Sequence, residues 1–149
     1  MIDRLCIIGV GLIGGSLALA LKKAGVCREI IGAGRNKERL EKALSLGVVD
    51  RFETDYAKAV HMADVVLVAV PLGAMKEVFE QIAPVLNSHT IVTDAGSAKR
   101  AIMLKTFCHC AAPSAYCALY GGSARLHCRH APPADPLVTV QDGQRTLHR

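Results

Sequence analysis

Strand-length apolar runs that alternate with helix-period segments predict a doubly wound α/β domain, a parallel sheet with helices on both faces. Three observations carry that prediction. Strand and helix patterns alternate five times within the first hundred of the 149 residues. Residues 65–70, VVLVAV, are apolar at every position and suit a central parallel strand covered on both sides. The first strand also runs directly into a glycine-rich turn that opens a helix, the usual start of a βαβ unit.

Taken in order, residues 5–10 (LCIIGV) form a short apolar strand ending among glycines. After Gly11, residues Gly14, Ala18, Leu21 and Gly25 share one narrow helical face, which lets the helix lie close against a sheet. Lys22 and Lys23 complement the negative end of that helix, and Gly25 supplies its stop. Glu29–Ala33 predicts the second strand, and Lys37–Leu46 a helix closed by Gly47. A short third strand falls within Val48–Thr54. Asp55–Ala63 reads as a helix that Asp55 caps. Val65–Val70 is the fourth strand, ended by Pro71, and Gly73–Ala83 the helix after it. Thr90–Asp94 (TIVTD) is the fifth strand, leading into GSAKR and another helical start.

The segment Gly9-Val10-Gly11-Leu12-Ile13-Gly14 is G-x-G-x-x-G set between a strand and a helix. In that setting the spacing signals dinucleotide binding and a Rossmann-type sheet. Gly9 permits the tight turn, Gly11 lets the backbone approach a pyrophosphate, and Gly14 lets helix and strand pack closely. The helix N-terminus at Leu12 and Ile13 offers amides and the positive end of the dipole to phosphates. A merely glycine-rich βα turn is the plainer alternative. The second strand ends Ile31-Gly32-Ala33-Gly34-Arg35-Asn36, without the carboxylate that NAD-binding versions aim at the ribose 2′-hydroxyl. Arg35 can instead grip a 2′-phosphate with its planar guanidinium, so NADP is the expected cofactor and NAD the second choice. The plainer reading makes Arg35 a solvated residue before a helix, and Arg39, one turn along, assists or simply faces water. Val70 and Pro71 lie just past the carboxyl end of a central strand, the edge that lines the ligand crevice in open α/β sheets.

Composition excludes several classes. Hydrophobic residues at 51% with 21% charged rule out a disordered chain. The net charge of +5 is uneven, with 13 basic against 11 acidic residues in 1–100 and 5 against 2 in 101–149. Aromatics make up only 4% and the basic residues are scattered, so no nucleic-acid partner is expected. Residues 5–21 are uncharged, but four glycines and a serine make a poor spanning helix, and MIDR is a weakly positive start for a signal peptide. A cytoplasmic protein without a membrane partner is expected. Cys6 and Cys27 sit in apolar, strand-like contexts and read as small core residues.

Three segments, GVGLIGGSLALAL at 9–21, DVVLVAVPLGAM at 64–75 and IVTDAGSAK at 91–99, together resemble the prephenate/arogenate dehydrogenases of tyrosine biosynthesis. The resemblance covers about residues 1–103. Other β-hydroxyacid-type dehydrogenases share the fold and the first segment but not the third. The resemblance implies oxidative decarboxylation of a small-molecule substrate, prephenate or its amino analogue arogenate, with a nicotinamide as hydride acceptor. It also implies that Ser97, matching the serine of D-x-G-S-x-K, is catalytic and orients the substrate's 4-hydroxyl. Helix capping ahead of Ala98 is the other reading of Ser97. Lys99 faces the substrate carboxylates or solvent. The family's catalytic histidine lies in a G-x-H-P-x-x-G segment, and none occurs in these 149 residues. His109, His127 and His130 lack that pattern, and Gly121-Gly122 has no histidine beside it. Family members dimerise through a helical domain that this sequence does not contain, so the chain is expected to bind cofactor and turn over poorly. The alternatives are a nucleotide-binding module without chemistry of its own, or a fragment of another β-hydroxyacid-type dehydrogenase.

Residues 108–149 differ in character from the dinucleotide-binding domain at 1–107. They hold four cysteines, four histidines and four prolines, with only Asp135 and Asp142 as acids. Cys108-His109-Cys110, Cys117 and His127-Cys128-Arg129-His130 offer zinc-type ligands at spacings that match no standard site, so no metal is expected. A slip of the reading frame near residues 101–107 accounts for the abrupt change and predicts an irregular, weakly attached tail.

Overall fold

Each apolar run of the sequence becomes a strand, and each helix-period segment returns the chain to the same end of the sheet. The computed structural model describes residues 1–96 in full, together with the backbone of residues 116–120 and 123–127. In chain order the elements are β1 (Ile2–Ile8), α1 (Leu12–Ala24), β2 (Cys27–Ala33), α2 (Lys37–Ser45) and β3 (Arg51–Glu53). There follow α3 (Tyr56–Val60), β4 (Val65–Val68), α4 (Leu72–Ile82) with a 3-10 turn at Ala83–Val85, and β5 (Ile91–Asp94). Two further strands are β6 (Tyr116–Tyr120) and β7 (Ser123–His127).

The strands lie in the order β3-β2-β1-β4-β5-β6-β7. All neighbours are parallel except β6 and β7, which form an antiparallel pair. The chain therefore starts in the middle, winds outward through β2 and β3, then returns to β4 on the other side of β1. That reversal opens a crevice at the carboxyl ends of β1 and β4.

Strand alternation divides the core into two layers. Leu5 and Ile7 face one side, where they meet Ala18 of α1 and Ala43 of α2. Cys6 and Ile8 face the other, against Tyr56 of α3 and Met75 and Phe79 of α4. The four β1 side chains are at most 2% exposed, so the strand that carries the crevice is held from both faces.

Several boundaries differ from the sequence pattern for identifiable reasons. β1 begins at Ile2 because Asp64 Oδ2 accepts the amides of Asp3 (2.8 Å) and Arg4 (2.9 Å). β2 begins at Cys27, where Glu29 pairs with Arg4 (3.1 Å) and Arg51 (2.9 Å) on the strands beside it. These polar strand starts carry no apolar signal. α3 is shorter than predicted; it ends at Val60, and Met62 adopts φ 63° before β4. The expected caps are present. Asp55 Oδ1 accepts from the Lys58 amide at 3.2 Å, and Gly25 closes α1 at φ 64°. Lys22 does more than face the dipole: its Nζ donates to Gly47 O (2.8 Å) and Asp50 Oδ1 (2.6 Å), tying α1 to the loop after α2.

The sequence pattern gives no strand beyond Asp94, yet β6 and β7 extend the sheet within the stretch read as irregular. SARLH does alternate polar and apolar residues, a strand signal that the cysteine-, histidine- and proline-rich composition around it obscured, whereas YCALY is apolar throughout and has no period of its own. The expected weak attachment of 108–149 and the Cys/His cluster otherwise lie outside the described residues. Among the described residues no helix is long and apolar enough to cross a membrane, and no three His, Cys, Asp or Glu side chains gather as metal ligands.

Candidate nucleotide-binding site

The glycine turn sits in the β1–β4 crevice, and its backbone is fastened on both flanks. Gly9 donates its amide to Ala33 O of β2 at 2.8 Å, while the Ala69 amide donates to Ile8 O at 2.8 Å. Gly9 has φ 95°, and a Cβ there would lie 2.5 Å from Ala69 O and 3.0 Å from Val70 Cγ1. Only glycine meets both demands. The Gly11 amide then donates to Gly9 O at 2.9 Å, closing a three-residue turn around Val10.

Gly14 serves packing. A Cβ on it would come within 2.5 Å of Gly9 O and 2.8 Å of Ile7 Cγ2, so its absence lets α1 rest directly on β1. Gly11 is different, because a Cβ there would meet nothing within 4 Å. Its bareness serves no contact within the described chain and leaves the approach to the α1 amides open.

Those amides are available to an anion. Gly11 caps α1 without a side-chain hydrogen bond, and the first turn holds no acidic residue. α4 repeats the arrangement across the crevice, with Pro71 at its N-cap, no side-chain cap and no acid in its first turn. Two helix dipoles thus present positive ends at adjacent strand termini. Leu12 and Ile13 stand 88% and 61% exposed, so their side chains do not cover the amides from the solvent side. Val70 is half-buried and Pro71 exposed, together forming the β4 wall of the crevice.

Arg35 follows β2 by two residues and is exposed on the same carboxyl edge. Neither Arg35 nor Arg39 enters an ion pair among the described residues, whereas Arg4, Arg28 and Arg51 all do. The Arg35 guanidinium is close enough to Tyr56 to act on its hydroxyl: burial pushes that phenol up, Arg35 lowers it, and Glu77 raises it. Asn36 caps α2 by accepting the Arg39 amide at 3.0 Å, which fixes the backbone next to Arg35.

Gly9, Gly11, Leu12, Ile13, Gly14, Val70 and Pro71 are therefore brought together, with Arg35 on the neighbouring strand end. Ser97 and Lys99 lie outside the described residues. Sequence reasoning passed over two contributors. Ala69 supplies the carbonyl that forbids a side chain at Gly9. Asp94, fully buried at the end of β5, accepts the Gly96 amide at 2.7 Å and so shapes the turn that leads toward 97. The D-x-G spacing is the signal for such a turn. Neither histidine among the described residues stands at the carboxyl edge. His61 and His89 are exposed and precede β4 and β5, at the opposite edge of the sheet. Cys6 is enclosed, and burial pushes its thiol up to about 12.

Residues 17–112 match the family described as prephenate dehydrogenase, nucleotide-binding domain. The prephenate dehydrogenase of Lactococcus lactis subsp. cremoris (strain MG1363) is 39% identical over 102 residues, covering 67% of this chain and 28% of that protein. The cyclohexadienyl dehydrogenase of Zymomonas mobilis subsp. mobilis is 36% identical over 102 residues, covering 67% of this chain and 34% of that protein. The chain thus spans about a third or less of these relatives' length. Among solved structures, Synechocystis arogenate dehydrogenase aligns with TM-score 0.62 at 25% identity, over 81% of this chain and 43% of that one. A prephenate dehydrogenase from A. aeolicus, in complex with hydroxyphenyl propionate and NAD+, shares the fold with TM-score 0.64 at 22% identity, over 85% and 44% of the two chains. By sequence match, by relatives and by fold, this chain belongs to the prephenate dehydrogenase nucleotide-binding domain family.

Proposed function

We propose that the chain is the cofactor-binding portion of a prephenate/arogenate dehydrogenase and that it prefers NADP. The observation that carries this reading is the glycine turn at the β1–β4 switch point, locked by Gly9 against Ala69 and bare at Gly11 before an uncapped helix. A dinucleotide fits that cradle, and when bound it supplies the hydride acceptor for an oxidative decarboxylation. This chain's residues bind and orient it. Amides at Leu12, Ile13 and Gly14 receive the diphosphate, Val70 and Pro71 wall the crevice, and Arg35, which enters no ion pair among the described residues, takes the 2′-phosphate. Ser97, the residue that follows the Asp94–Gly96 turn in sequence, orients the substrate hydroxyl.

Calorimetric titration of NADP and NAD into the purified chain tests the reading. NADP should bind more tightly. Arg35→Ala should weaken NADP by about 10–100-fold, the range for a charge-assisted phosphate contact, and leave NAD nearly unchanged. Tighter NAD binding overturns the cofactor choice, and binding of neither overturns the site.

One observation favours a second reading, a module that binds without chemistry: the described histidines stand at the edge away from the crevice. NADPH formation from prephenate or arogenate separates the two. Turnover lost in Ser97→Ala supports the dehydrogenase, and binding without turnover supports the module. Translating the DNA beyond codon 100 in its other frames tests the frame-slip reading, which expects a G-x-H-P-x-x-G segment there.

A further inference from the structure

We propose that Gly32 is a positioning residue for the glycine turn, although it belongs to the second strand and lies outside the fingerprint. A Cβ on Gly32 would come within 2.9 Å of Val10 Cγ2, 3.0 Å of Val49 Cγ1 and 3.4 Å of Val49 Cγ2. The missing methyl is therefore a notch in the sheet surface, and the Val10 side chain occupies it. Val10 is the central residue of the turn closed by the Gly11 amide on Gly9 O at 2.9 Å. It is also the one residue of 9–11 with a side chain. Its packing against the Leu5/Ile7 layer is thus how the turn is gripped from below.

Gly32 pairs with Ile7 in the β1–β2 register, one step before the Gly9–Ala33 hydrogen bond. Gly32 does not have a positive φ, so its role is spatial rather than conformational. Valine is stiff at χ1 and cannot fold its methyls away. A methyl at position 32 would lift Val10, and with it the direction in which the Gly11, Leu12 and Ile13 amides point.

The role in cofactor binding rests on the dinucleotide reading, and the test keeps the two apart. Dissociation constants for NADP are measured for the full chain, Gly32→Ala, Val10→Ala and the double variant, with amide hydrogen exchange over residues 9–15 in the absence of ligand. Gly32→Ala should weaken NADP about tenfold and speed exchange in the turn. The double variant, which removes the Val10 clash and leaves the looser Val49 contact at 3.0 Å, should recover part of both losses. A purely structural glycine would lower the melting temperature of Gly32→Ala while leaving affinity per folded molecule unchanged, and that result overturns the proposal. Additive losses in the double variant overturn it as well. If the unmodified chain binds neither dinucleotide, the functional reading fails alone: faster exchange in Gly32→Ala that the second substitution reverses still supports the notch, and unchanged exchange sinks it.

Discussion

At the scale of single residues, Gly9 and Gly11 separate folding from binding. Gly9→Ala places a methyl 2.5 Å from Ala69 O at φ 95° and should cost about 2–5 kcal/mol in a urea melt, with loss of dinucleotide binding. Gly11→Ala meets nothing within 4 Å among the described residues, so its stability should stay within about 1 kcal/mol while NADP affinity falls at least about tenfold. Cys6 gives a pH signature. Its folded value of about 12 lies above the ordinary 9.0, so the folded chain holds the thiol proton longer than the unfolded chain does. The stabilisation is complete below pH 9 and drains away as pH rises toward 12, by up to about 1.4 kcal/mol per pH unit. Urea midpoints between pH 8 and 11 should fall more steeply for the natural chain than for Cys6→Ala; equal slopes refute the assignment. The fingerprint glycines were legible because their spacing is a pattern. Ala69 was not, since a carbonyl that excludes a side chain leaves no trace in residue type.

At the scale of elements, helix ends were easier to read than strand starts. Asp55 and Gly25 act as their chemistry predicts, because capping is local. The first residues of β1 and β2 are polar and are held by Asp64 and Glu29, partners distant in sequence, so no window of neighbours reveals them. Asn36 joins element to site. Its side chain holds the first turn of α2 directly after Arg35. Asn36→Ala should cost about 1 kcal/mol in a urea melt and also narrow the NADP-to-NAD affinity ratio, since Arg35 loses its fixed base.

For the whole molecule, strand–helix alternation made the parallel sheet with helices on both faces readable, whereas the order β3-β2-β1-β4-β5 is set by packing that no local pattern records. The β6–β7 pair was missed although YCALY and SARLH stand either side of Gly121-Gly122, a two-residue hairpin spacing that the surrounding composition masked. A ligand that binds only the folded chain adds about 2.7 kcal/mol at a hundred times its dissociation constant, so saturating NADP should raise the melting temperature by roughly 5–10 °C. No rise with either dinucleotide would refute the site. The turn's two flanking hydrogen bonds, Gly9 to Ala33 and Ala69 to Ile8, carry one more implication. A receptor already fixed from both sides has nothing to reorganise when its guest arrives. Capture should then proceed at close to the encounter rate, and structures with and without ligand should superimpose over residues 8–14.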